Sequence, residues 1–354
     1  MRDAGNLTYK KLHAAEVEQW NLKLQNTSAS FFQYPYYGSG NEELPHSSVV
    51  YYEFFDESRL IAFASCLCVR VWFIKIGLII RGPVVLDSNT SASVLEILKK
   101  IQKQENYFFL RINPNIFDIE LVEELKTVRK VLSLDPFPIY KGSQDRDFII
   151  RRVDSEEELL NHYKPRARQN IRYGKEENFE FIKTADEREA HDAYDILIKV
   201  SESKNFKFRP LNSYLNILKN GSKYNLCHLY LAKEDGKIVN VAFIVKDGNG
   251  YTYLSGGLIS GRYKPRNSPS SLLHHQIIKE CLIDEKRSNY NITYTGPEQP
   301  LFTFKSSFNP EELHYPPYYT ITNHKWFVRI FLVLQQKFLP RIKKMTRMKY
   351  GNRK

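Results

Sequence analysis

The chain has 354 residues, 52 of them Lys or Arg and 40 Asp or Glu, for a formal charge of +12. Ten basic residues and no acidic one fall between Lys325 and Lys354, leaving 42 basic and 40 acidic residues in 1–324. A nearly neutral body with a cationic tail excludes a nucleic-acid coat protein that is basic throughout, and 42% hydrophobic with 14% aromatic residues excludes a disordered chain.

The elements run in a regular order. Ala14–Leu24 reads as a helix, and the β-branched and aromatic runs Val49–Phe55 and Leu60–Val71 form a hairpin about the turn Asp56-Glu57-Ser58-Arg59. Ile76–Val85 is a strand ending at Arg81-Gly82-Pro83. Ser91–Gln104 is an amphipathic helix capped by Ser91 or Ser93, Tyr107–Ile112 a strand, and Phe117–Lys130 a helix. Phe148–Arg152 starts a second series. In it, Leu226–Lys233 and Lys237–Lys246 flank the turn Glu234-Asp235-Gly236, followed by strand Tyr251–Leu258, a helix from Pro269 to Ile283 and strand Asn291–Thr295. The distance from hairpin turn to helix start is 34 residues in both series, Glu57 to Ser91 and Asp235 to Pro269, a length that two strands and a loop fill.

These elements predict a duplicated α/β (α+β) chain: a first domain over 1–145, a second over 146–323 and a basic amphipathic tail over 324–354. Residues 155–203 read as a helical insert, Ser155–Glu177 and Glu187–Ser203, around the short strand Phe179–Lys183. Met1–Lys10 lacks the pattern of a signal peptide. The apolar runs Val71–Ile80 and Trp326–Leu334 fall short of the roughly 20 residues a membrane span needs and are broken by Lys75 and Arg329. Four cysteines are sparse for this length, so a reducing cytoplasm is expected. Cys66 and Cys68, on one strand face, read as buried apolar groups, with no Cys or His partner at zinc spacing.

Three segments carry candidate chemistry. Ser268-Pro269-Ser270-Ser271 opens a helix just after Arg262, Lys264 and Arg266, which suits an anion at the free N–H groups of the first turn; an ordinary capped helix beside a solvated loop fits the same residues. In Lys164-Pro-Arg-Ala-Arg168-Gln-Asn-Ile-Arg172-Tyr-Gly-Lys175, Arg168 and Arg172 share a helix face suited to phosphates. Taken alone, a solvated face paired with neighbouring glutamates is the stronger reading. In Phe302-Thr-Phe304-Lys305-Ser-Ser-Phe308, one lysine among aromatics suits a cleft where an oxyanion develops, or else a snorkelling lysine on an edge strand. His274 and His275 are adjacent on their helix, one outward and one inward, and make no metal pair. Gly256, Gly257 and Gly261 are a weak phosphate-loop signal.

The order of elements resembles the FemABX family, the tRNA-dependent aminoacyltransferases that build peptidoglycan cross-bridges from two GNAT-like domains. The phrases that carry the resemblance are Ser30-Phe-Phe-Gln-Tyr-Pro, Arg81-Gly-Pro-Val, Arg168-Gln-Asn-Ile-Arg172-Tyr-Gly-Lys175-Glu, and Gly296 with Phe304-Lys305-x-x-Phe308 and Tyr315-Pro316, spanning about residues 10–323. It implies two tandem GNAT-like domains with mixed sheets flanked by helices, and direct attack of an amine on an activated acyl ester without metal or covalent intermediate. It also implies that Lys305 beside Phe304 stabilises the oxyanion, that Arg168 and Arg172 hold acceptor phosphates, and that Tyr253, Gly256 and Gly257 line the transfer cleft. Arg262, Ser268 and Ser270 join them as candidate substrate-binding residues. The chain lacks room for the long tRNA-binding helical hairpin of some members, so a compact FemX-like member fits. The acyl-CoA loop of ordinary GNAT enzymes is not clear either, which leaves aminoacyl-tRNA or acyl-CoA open as donor.

The expected activity is acyl or aminoacyl transfer to an amine of a lipid-linked or nucleotide-linked envelope precursor. The alternatives are acyl-CoA-dependent N-acetylation of an amino sugar, and a non-catalytic adaptor that docks on membrane or RNA. In the tail, Phe327, Phe331, Leu334 and Phe338 fall at helical spacing among the basic residues, and Pro340 ends or kinks that helix. Such a helix suits an anionic membrane surface, so the expected place is cytoplasmic, at the inner face of the membrane. Docking of the tail on the body, or attraction of RNA, fits the same pattern.

Overall fold

Two hairpins with very short loops set the frame, and each turns through a residue in the left-handed region, Glu57 (φ 57°) in one and Asp235 (φ 51°) in the other. The computed structural model describes residues 6–71, 74–129, 146–204, 208–259, 263, 268–296, 301–323 and 326–328. Its strands in chain order are β1 (Leu7–Leu12), β2 (Ser47–Asp56), β3 (Arg59–Val71), β4 (Ile74–Ile80), β5 (Val84–Val85), β6 (Phe109–Asn113) and β7 (Arg146–Arg151). They continue as β8 (Glu180–Thr184), β9 (Cys227–Glu234), β10 (Lys237–Lys246), β11 (Gly250–Leu258), β12 (Asn289–Asn291), β13 (Glu311–His314) and β14 (Tyr319–Ile321).

The strands form two mixed sheets, one ordered β1-β2-β3-β4-β6-β14 with β5 on β3, the other β13-β7-β12-β11-β10-β9-β8. The sheets repeat one plan. In the first, β3 and β4 are antiparallel, β4 and β6 parallel, and β14 antiparallel to β6. In the second, β10 and β11 are antiparallel, β11 and β12 parallel, and β7 antiparallel to β12. A parallel pair needs a crossover, and in each unit a helix supplies it: Ser91–Gln104 between β4 and β6, and Ser270–Lys279 between β11 and β12. Val94, Leu95, Leu98 and Ile101 of the first helix are buried with Phe54, Ala64 and Ile112 of their sheet. Leu273, Ile277 and Ile278 of the second pack with Ile150, Ile244 and Tyr251.

The chain falls into two units, one of residues 1–11, 50–142 and 316–354, the other of 12–49 and 143–315. The linear division at 145 therefore differs from the structure in two places, the segment 12–49 and the strand β14. Strand β14, late in sequence, is the edge strand of the first sheet beside β6, whereas β7 lies inside the second sheet, between β12 and the edge strand β13. Segment 12–49 packs with the second unit. Its Phe31 N–H donates to the Asp247 carboxyl at 3.1 Å, Tyr36 Oη donates to the Lys246 carbonyl at 2.6 Å, and Gly248 N–H donates to Tyr34 Oη at 3.0 Å. The Ser30-Phe-Phe-Gln-Tyr-Pro phrase is thus the segment that grips the β10–β11 turn. Helix Pro35–Asn41 then crosses helix Leu211–Ser222 at Gly40, where a Cβ would lie 2.3 Å from Ile217 and 2.6 Å from the Ser213 carbonyl. Nor is 155–203 a free insert: β8 is the edge strand on β9, and helix Pro165–Glu176 packs on Ser270–Lys279.

Asn291–Thr295 was expected as a strand; β12 instead covers Asn289–Asn291, and the chain leaves the sheet at Thr293, in the left-handed region (φ 59°). Phe302–Phe308 is not on an edge strand, because Leu301–Ser306 is a short helix. The four cysteines are buried and free, and Cys68 Sγ lies 2.9 Å from Tyr107 Oη. Among the described residues no helix is long and apolar enough to cross a membrane. In the tail, Trp326 and Phe327 are exposed and Val328 is buried; Arg329–Lys354 lies outside the described residues.

Candidate functional site

Parting of two parallel strands makes the site. In the second unit β11 and β12 stay paired only from Gly250↔Asn289 to Thr252↔Asn291, after which β11 runs on to Leu258 without a partner on that side among the described residues. The gap is a cleft of about 600 Å³ within this unit. It is lined by Tyr253, Gly256 and Gly257 of β11, by Ser268, Ser270 and His274 at the start of the next helix, and by Phe304 and Lys305 of the short helix.

The Phe304-Lys305-x-x-Phe308 spacing explains how that lysine is held. Residues four apart share a helical face. The Phe304 and Phe308 rings meet edge to face at 5.4 Å, Phe308 is fully buried, and the turn between them carries Lys305 inward. Lys305 is only 5% exposed. Its Nζ donates to the Thr293 carbonyl at 3.1 Å and to Thr293 Oγ1 at 2.7 Å, and lies 5.4 Å from the centre of the Tyr253 ring. Burial pulls the ammonium from its ordinary value of 10.5 down to about 7, against the attraction of Asp147. Burial thus works against the charged form of this lysine, which an ordinary solvated lysine keeps at neutral pH.

His274 is the hub of the aromatic wall. Its ring packs edge to face on Tyr253 at 4.6 Å and on Phe304 at 5.4 Å, and Nδ1 shares a hydrogen bond with Tyr290 Oη at 2.9 Å. Burial, and then Lys305, lower its pKa to about 3, so it is a neutral imidazole at working pH. His275, expected on the opposite side of the helix surface, is buried as well, 3.2 Å from Glu156.

Seven of the ten predicted site residues meet in this cleft: Lys305, Phe304, Tyr253, Gly256, Gly257, Ser268 and Ser270. The serines differ from independent caps. Ser268 Oγ accepts from the Ser270 N–H at 3.2 Å, and Ser270 Oγ accepts from Asn240 Nδ2 at 2.8 Å, so the helix start is tied to β10. Arg168 and Arg172 lie elsewhere. Both are exposed; Arg168 donates to the Tyr163 carbonyl at 2.6 Å, fastening the end of the preceding helix, and the Arg172 guanidinium lies 5.4 Å from the Tyr173 ring. The residues of that helix that line the cleft are Arg166 and Asn170. Ala167, Ile171 and Gly174 face the core, and positions 166 and 168 lie about 200° apart around a helix. Arg262 lies outside the described residues.

Sequence reasoning passed over Arg166, Asn170, Asn240, His274 and Thr293. Arg166 was visible as the second basic residue of its motif, but nothing local says which side of the helix a cleft will occupy. Thr293 gave no signal, since its role depends on a left-handed φ and on a lysine twelve residues later.

Residues 161–293 match the family model of the acetyltransferase (GNAT) domain. Among solved structures the chain resembles FemX, with a TM-score of 0.73 at 14% identity over 91% of this chain and 100% of that one. It also resembles the C-terminal domain of a putative lysylphosphatidylglycerol synthetase from Agrobacterium fabrum (TM-score 0.51, 14% identity, 87% and 92% covered). A conserved protein of unknown function from Bacteroides thetaiotaomicron is similar too (0.51, 11%, 89% and 98%). No curated protein sequence matches the chain. At these identities the structural likeness is one of fold: a FemX-like α/β arrangement of two mixed sheets, with the GNAT domain match in the second unit.

Proposed function

We propose that this acyltransferase, FemABX-like in fold and carrying a GNAT domain, moves an activated acyl or aminoacyl group onto an amine of a cell-envelope precursor. The observation that carries the reading is Lys305, a buried ammonium on the wall of the cleft where β11 and β12 part. An amine attacks the acyl carbonyl, a C–N bond forms, and the carbonyl electron pair moves onto oxygen. The charged form of Lys305 donates to that oxyanion in a site walled by Tyr253, Phe304 and His274, where such a bond is worth more than in water. Collapse of the intermediate expels the alcohol or thiol of the donor. The proton of the attacking amine leaves to water or to a substrate phosphate. Ser268, Ser270 and Arg166 border the cleft and supply donors for a phosphate of donor or acceptor.

The name of one structural relative, the C-terminal domain of a putative lysylphosphatidylglycerol synthetase, supports an envelope acceptor. The GNAT domain match favours a second reading, acyl-CoA-dependent N-acetylation of an amino sugar. One experiment separates the two. The purified full chain is given either a pool of aminoacyl-tRNA or acetyl-CoA, each with a nucleotide-linked peptidoglycan precursor or an amino sugar, and products are weighed by mass spectrometry. An aminoacyl increment on the precursor supports the first reading and an acetyl increment on the sugar the second; no increment with any pair sinks both. Lys305→Ala lowers turnover about 100-fold to 1,000-fold. Because the charged lysine is the active form, transfer declines as pH rises through about 7. The basic segment 325–354 holds the enzyme at an anionic membrane face; liposome co-sedimentation that is unchanged when that segment is deleted overturns this tether.

A further inference from the structure

Thr293 sits where β12 ends and the cleft begins, and its conformation is unusual. A β-branched residue at φ 59° is strained, at a position that glycine or asparagine normally fills. The surrounding bonds hold it there: the Thr293 N–H donates to Asn291 Oδ1 at 2.7 Å, and Oγ1 donates to the Ile292 carbonyl at 2.7 Å. Asn291 is itself fixed in the sheet, opposite Thr252 on one side and Ile149 on the other. The result is that two oxygens of one residue, the carbonyl and the hydroxyl, converge on a single buried ammonium.

We propose that Thr293 is a positioning residue for Lys305: its left-handed backbone presents carbonyl and Oγ1 to two of the three Nζ protons, which leaves the third to face the oxyanion in the cleft. The inference rests on the reading of Lys305 given above. A glycine would adopt the same φ without strain but would supply only the carbonyl. The hydroxyl, oriented by donating its own proton to Ile292, has its lone pairs free to accept from Nζ. Among the described residues, the other groups around the ammonium make no second hydrogen bond to it. Asp147 of β7 attracts it through space, His274 of the Ser270–Lys279 helix is neutral, and Tyr253 of β11 presents its ring, with a phenol that burial keeps protonated. Losing one acceptor disfavours the charged lysine, so the titration of Lys305 moves further down.

The test reads Lys305 directly. Full-length protein labelled with carbon-13 at the lysine side chains is titrated by NMR, and the Lys305 resonance is assigned by its loss in Lys305→Arg. The wild type titrates near 7. Thr293→Val keeps the branched shape and the strain but removes the hydroxyl, and Lys305 then titrates about one pH unit lower or more. Thr293→Ser restores the wild-type curve. The high-pH limb of the transfer rate moves down with it in Thr293→Val and returns in Thr293→Ser. A Thr293→Val protein whose Lys305 titrates as in the wild type overturns the inference, whatever its activity. Failure of the catalytic reading is a different result: Lys305→Ala retains full turnover.

Discussion

The two sheets share a plan and differ in how far their parallel pair extends. In the first unit β4 and β6 remain paired over five positions, from Ile76↔Phe109 to Ile80↔Asn113. Beyond that point, among the described residues, Arg81, 3% exposed, donates to Asn113 Oδ1 at 2.8 Å, and Asn113 Nδ2 donates to the Pro316 carbonyl at 2.8 Å. In the second unit pairing stops after Thr252↔Asn291, the chain turns away at Thr293, and the space is the cleft. Two residues fewer of parallel pairing accompany the cleft, whereas in the first unit Arg81, Asn113 and Pro316 are tied together at the equivalent end. The duplicated architecture therefore does not imply duplicated chemistry; the side chains at the end of the parallel pair decide which copy is open.

Several substitutions can break or sharpen this comparison. Lys305→Ala in the open copy and Asn113→Ala in the sealed copy are the strongest pair. The first reduces transfer about 100-fold to 1,000-fold with little loss of stability, while the second destabilises by about 1–3 kcal/mol and leaves turnover of the folded protein near normal. Turnover and urea unfolding measured on both check it, and equal losses of turnover break the comparison. Next come two strand glycines. A Cβ at Gly256 would lie 2.3 Å from the Val241 carbonyl and 2.4 Å from Tyr253 Oη, whereas one at Gly77 meets first the end of the Leu110 side chain at 2.6 Å. Gly256→Ala pushes the Tyr253 ring from the cleft and lowers transfer about tenfold or more, because small misplacements at a reacting centre are amplified. Gly77→Ala changes melting temperature and leaves the rate per folded molecule alone.

Smaller effects test the packing that supports the open copy. Gly40→Ala separates helices Pro35–Asn41 and Leu211–Ser222 and costs about 1–3 kcal/mol, read from the urea midpoint. Without such a loss, segment 12–49 is not held at that crossing. The pH dependence of stability gives the finest measure. Lys305 is held at about 7 in the folded chain, below its ordinary 10.5. Between those values the unfolded chain binds the proton and the folded chain does not, so unfolding free energy rises with pH, at most about 1.4 kcal/mol per pH unit from this group. Lys305→Met removes that contribution, and the difference between the two proteins' urea curves at pH 7 and pH 9.5 measures it. Parallel curves would mean that Lys305 is not desolvated.

Much of this was written in local sequence. The hairpins Val49–Val71 and Leu226–Lys246 were legible because alternating β-branched and aromatic residues flank turn-forming Glu57 and Asp235. Equal spacing to Ser91 and Pro269 disclosed the duplication. The Phe304-Lys305-x-x-Phe308 phrase pointed to its lysine because an ammonium among aromatics needs a reason to be there. The Arg168–Arg172 stripe does not line the cleft, and a helix with basic residues on several sides does not announce which side borders one. The linear division at 145 was blind to the return of β14 to the first sheet and of segment 12–49 to the second unit, because strand and helix partners can lie far away in sequence.

Composition, alternation and turn chemistry are short-range quantities, and they were sufficient for the α/β class and the repeated series. The rest required three dimensions. The length of parallel pairing, the inward face of the Pro165–Glu176 helix, the grip of residues 31–36 on the β10–β11 turn and the approach of Thr293 to Lys305 all arise from contacts between distant segments. Burial is such a contact property, and burial is what brings an ordinary lysine to about 7.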